Sequence, residues 1–115
     1  MNAATRMALL GAALVPYIAM VSVDAWMHER ARRVPRLEQV FHAAAAVLFL
    51  GFMIAVFRST TTLALSLFAV FALCAACDEL GFHRHLAARE RRVHFMAYAA
   101  LGVFLGVWLW TEAAA

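Results

Sequence analysis

The chain has 115 residues, of which 66% are hydrophobic and only 15% charged. That is one domain by length, with more apolar residues than a soluble domain ordinarily carries. The net charge of +3 is no nucleic-acid footprint: all ten basic residues are arginine, and eight of them stand beside six of the seven acids in two short stretches, 24–42 and 78–94.

The first apolar run covers 7–23 and can extend back to Ala3 or forward through Trp26. Runs near this length are membrane-span candidates, and a proline such as Pro16 is tolerated in them as a kink. A signal peptide starting at Arg6 and cleaved near Ala25 is the rival reading. It would part Asp24 from His28, a pair that the second half echoes. Residues 24–40 continue past the membrane surface through Arg30, Arg32, Arg33 and Arg36. Val34-Pro35 predicts a helix break, with a second helix from about Pro35 to Phe57.

Arg58, Ser59 and a threonine run predict a short turn, with Thr60 or Thr61 as N-cap. The third span is predicted over 62–77, with Gly81 ending or kinking its helix. After Arg84 and the run Ala88–Arg92, the fourth span is predicted over 93–110. Trp108 and Trp110 lie at its far end, where aromatic belts sit, and Trp26 is expected at the other interface. Gly102 and Gly106 form G-x-x-x-G, a possible close-packing face within the bundle or between subunits.

The fold expected is all-α and integral to the membrane: a four-transmembrane-helix bundle made of two parallel helical-hairpin repeats, about 7–57 and 60–110. Each half reads helix, acid and histidine, arginine turn, acid and histidine, helix. Two spans separate the charged connections, so both face one side. The arginine excess makes that side cytoplasmic and puts both termini outside, with a bacterial inner membrane as the expected location.

The chemistry lies in four acid-x3-His pairs: Asp24–His28, Glu38–His42, Glu79–His83 and Glu90–His94. Residues four apart share a helical face, so acid and imidazole can ligate one metal, or the acid can orient the ring. Random placement of the six acids and five histidines within the two stretches would give about 0.8 such pairs, against four found. Interfacial ion pairing is the plain alternative. Yet His42 and His94 open apolar spans, where ionisable groups are costly and usually functional. Asp78 and His85 rank behind these eight as ligands, Glu29 reads as an arginine partner, and Cys74 as packing.

A mixed carboxylate and imidazole set points to a divalent metal, iron first, with zinc, manganese and copper as alternatives. The set is similar to that of soluble di-iron bundles, though the spacing differs and all four helices bear histidine. Asp24-x3-His28-x13-His42 also resembles the Asp-x3-His-x12-His copper motif of the particulate methane monooxygenase C subunit. That likeness spans nineteen residues, with one extra residue between the histidines, and implies copper.

The function expected is an integral membrane metalloprotein with a dinuclear site at the cytoplasmic end. An oxygen-activating oxidoreductase acting on a small or lipid-like apolar molecule comes first. A metal carrier or regulator, a metal-dependent hydrolase and a haem-binding subunit are the alternatives. Expected partners are lipid, such a substrate, and either a second copy or a partner membrane subunit. Cys74-x-x-Cys77 lies inside an apolar run, which argues against a thioredoxin-like site. There is no Ser-His-Asp pattern, phosphate loop or dinucleotide fingerprint.

Overall fold

The computed structural model describes residues 1–31, 33–84 and 86–114, with the backbone alone at 29 and 31. His85, Arg32 and the side chain of Glu29 therefore lie outside the described residues. Those described form four helices and no strand: α1 (Ala3–Ala31), α2 (Arg36–Phe57), α3 (Thr61–Phe82) and α4 (Ala88–Ala113). All four are long and apolar enough to cross a membrane. The shortest have 22 residues, about 33 Å at helical rise against a hydrocarbon core of about 30 Å.

The helix ends follow local chemistry. Asn2 caps α1, its side-chain oxygen accepting from the Thr5 N–H at 2.8 Å. α1 runs unbroken through Pro16. Pro35, extended at φ −58° and ψ 149°, precedes α2 as expected. Thr60 stands at the N-cap of α3 but makes no cap bond; its hydroxyl donates back to the Ala55 carbonyl at 3.0 Å. Gly81 lies within α3, which ends at Phe82. Ala88–Arg92, expected in a connection, is the first turn of α4. Alanine, arginine and glutamate are strong helix formers, and their charge does not oppose a helix.

α2 closes in a Schellman motif. The Ser59 N–H donates to Val56 and the Thr60 N–H to Ala55, with Ser59 left-handed at φ 56°. A left-handed non-glycine residue costs roughly 1 kcal/mol. Ser59→Gly is therefore expected to raise stability by about that much, read as a higher unfolding midpoint in detergent. An unchanged midpoint would mean that Ser59 bears no strain.

The helices pack as two units, α1 with α4 and α2 with α3. In the first, Asp24 meets His94 and Arg6 meets Glu112. Eighteen residues separate each pair of positions along its own helix, so α1 and α4 run antiparallel in even register. In the second, Phe52 meets Phe68 and His42 meets Asp78, ten residues on along each antiparallel helix. The packed units are thus not the two sequence halves.

Each unit has an apolar body with a carboxylate–histidine cluster at one end, and the α1–α4 unit has the Arg6–Glu112 pair at the other. Leu10, Leu101, Phe104 and Trp108 fill the first, and Phe49, Phe52, Phe68 and Phe71 the second, with ring centroids 5.3–6.1 Å apart. Trp108 is buried rather than belted at an interface, because its indole N–H donates to Glu112 at 3.3 Å, whereas Trp110 is exposed. Trp26 is exposed too, with the Arg30 guanidinium 4.5 Å above its ring. Gly102 and Gly106 form no close approach: a Cβ at either would meet nothing within 4 Å. The usual pattern of burial is inverted. Val47, Leu73 and Phe95 are exposed, while His28, Glu38, Asp78, His83, Glu90 and His94 are buried.

Candidate metal centre

Helix position decides which polar groups meet. Glu38 and Glu90 each occupy the third residue of their helix, α2 and α4, where the unpaired N–H groups of the first turn favour a carboxylate. His42 and His94 follow one turn later. The facing helices bring Asp24 and His28 near the end of α1, and Asp78, Glu79 and His83 at the end of α3.

In the α2–α3 unit four donor atoms form a closed circuit. His42 Nε2 stands 3.0 Å from Asp78 Oδ2 and 3.8 Å from Glu38 Oε1. His83 Nε2 stands 3.2 Å from Glu38 Oε1 and 3.6 Å from Asp78 Oδ2. Four donors about 2.1 Å from one ion at tetrahedral angles stand roughly 3.4 Å apart, within this range. Glu38 is 0% exposed and His83 buried, whereas the His42 side chain is 38% exposed.

The protonation of His83 sharpens this. Its Nδ1–H donates to Glu79 Oε2 at 3.0 Å. In the neutral ring Nε2 then carries a lone pair, and it faces two carboxylate oxygens. That contact is repulsive unless a second proton or a cation lies between them. A carboxylate that fixes the ring from behind is the usual outer partner of a metal-binding histidine. Asp78 thus faces the ring of donors and Glu79 backs His83, the reverse of their sequence ranking.

In the α1–α4 unit Asp24 is the hub. Its Oδ1 lies 2.9 Å from His94 Nε2 and 3.3 Å from His28 Nδ1. His28 Nδ1–H donates to the Asp24 backbone carbonyl at 3.0 Å, which leaves Nε2 as the lone-pair nitrogen of the neutral ring. The His28 and His94 rings stack, with centroids 5.7 Å apart and planes 18° from parallel. One ligand atom from each of Asp24, His28 and His94 lies within 4.8 Å of the others, close enough to hold a metal. Glu90 is buried one turn before His94, and its Oε1 has no hydrogen-bond partner among the described residues.

The α2–α3 unit thus brings Glu38, His42, Glu79 and His83 together, and the α1–α4 unit Asp24, His28 and His94, whereas Glu90 forms no hydrogen bond or ion pair with any of them. Asp78 is the residue that spacing under-ranked. Aligning His28 with His83 matched Asp24 to Glu79, and that i,i+4 pair does form, but Glu79 takes His83 Nδ1 while Asp78 faces Nε2 from five residues away. Matching acid to like acid, Asp24 with Asp78 and Glu38 with Glu90, would have found it. Cys74 stays outside the donor set, its thiol donating to the Phe41 carbonyl at 3.6 Å.

Comparisons with protein-family models, with curated proteins and with solved structures find no match.

Proposed function

We propose that this chain is an integral membrane metalloprotein carrying two metal ions, one in each helix pair, at the arginine-rich ends of its helices. The circuit of Glu38, His42, Asp78 and His83 carries the reading, because two buried carboxylates and two imidazoles face one another with oxygen–nitrogen distances of 3.0–3.8 Å. A divalent cation at that point both neutralises the carboxylates and accepts the imidazole lone pairs. Oxygen and nitrogen donors in this mixture suit iron first, then zinc, manganese or copper. On iron the chemistry is oxygen activation toward a small or lipid-like apolar substrate reached from the bilayer.

The inverted burial supports membrane insertion, since apolar side chains turned outward need a lipid solvent and buried carboxylates need partners. Arg6 is held by Glu112, which leaves Arg58 against the eight arginines of the other ends. That balance favours a cytoplasmic site, with both termini outside.

Metal analysis of protein purified in detergent tests the reading. Two ions per chain are expected, falling to one in His83→Ala. Wild-type protein that stays metal-free after reconstitution with iron, zinc, manganese and copper would sink it.

A second reading, a metal carrier, draws on the exposure of His42. A ligand open to solvent lets an incoming chelator attack the metal. Loss of the α2–α3 ion to a chelator within minutes, with no product from any apolar substrate, would favour the carrier over the enzyme.

A further inference from the structure

The two donor sets differ. The α2–α3 set has four groups in a circuit, two carboxylates and two imidazoles, enough to close a four-coordinate ion or, with both carboxylates bidentate, a six-coordinate one. The α1–α4 set brings three groups together, one carboxylate and two imidazoles. Two histidines and one carboxylate with positions left over are the donor set of iron sites that bind exogenous ligands. The partnerless Glu90 Oε1 lies one helical turn from His94, on the same face of α4. Glu90 is 5% exposed, and a buried carboxylate oxygen without a donor is costly.

Building on the two-metal reading, we infer that the α1–α4 position is the coordinatively open one. It takes a small exogenous ligand, in the resting state a water that donates to Glu90 Oε1. The ion gains its missing ligand, and the carboxylate gains the donor that none of the described residues supplies. Glu90 is a positioning residue here: it acts on the bound ligand and leaves the metal to Asp24, His28 and His94. In the matching place of the other unit, Glu38 lies in the circuit itself, 3.2 Å from His83 Nε2. Equivalent glutamates therefore have different work, and only one ion is left open.

Azide titration of the full chain, reconstituted with ferric iron in detergent, tests this through its charge-transfer absorption. One azide per chain is expected to bind. His94→Ala should keep one iron and lose the azide band, while His83→Ala should keep one iron and retain it. The iron remaining in each variant also reports that it has folded. Glu90→Gln should keep both irons and bind azide about tenfold more tightly, since a negative charge beside the anion is gone. A band surviving in His94→Ala, a band absent from wild type holding two irons, or one iron lost in Glu90→Gln would each overturn the inference. Wild type without iron overturns the metal reading itself, and this inference with it.

Discussion

Glu38→Ala is expected to remove one of the two metal ions and, with it, the metal-dependent stability of the α2–α3 unit. Glu38 is the least exposed donor of the circuit, and both His42 and His83 stand against its Oε1. Alanine leaves three donors and opens a void where the carboxylate was. A ligand present at a hundred times its dissociation constant stabilises the folded state by about 2.7 kcal/mol. For 115 residues that is a shift of roughly 10 °C in the unfolding midpoint. Wild-type protein should lose that increment when the metal is chelated, and Glu38→Ala should show no increment from the α2–α3 ion to lose. Equal chelator-induced shifts in the two proteins would mean that Glu38 holds no metal.

The second large effect is expected at the other end of the α1–α4 unit. Arg6 pairs with Glu112, which also accepts from the buried Trp108 indole. Both charged side chains are mostly covered. Truncating one partner of such a pair costs about 3 kcal/mol, chiefly because the other charge is left unmatched. Arg6→Ala should therefore destabilise by about that amount, and Arg6→Ala with Glu112→Gln should recover most of it. A thermal double-mutant cycle measures the difference. Equal stability of the single and double variants would show that Glu112 does not need its partner.

The four helices were legible because a run such as Val40–Phe57 has few other ways to satisfy its backbone in an apolar setting. Their ends were less so. Ala88–Arg92 has a surface composition and a helical backbone, and charge distinguishes only the first of these. Pairing was the larger gap. Sequence proximity does not show that α1 packs on α4: Arg6 finds Glu112 across 106 residues, a contact that no local pattern encodes. Acid–histidine spacing located the donors because an α-helix repeats faces every fourth residue. It ranked Glu79 above Asp78 because it sees only pairs four apart, whereas Asp78 reaches His83 from five residues away and His42 across the helix pair.

The pairing of the first helix with the last also sets an order of assembly. During synthesis α2 meets α3 as soon as the turn at Ser59 closes, so the circuit of Glu38, His42, Asp78 and His83 can form early. Asp24 and His28 have no such neighbour until residues 88–113 emerge. Through most of translation α1 thus carries an acid and a histidine that still await His94. The cluster of Asp24, His28 and His94 is completed only once α4 has emerged, and every chain interrupted before α4 lacks it.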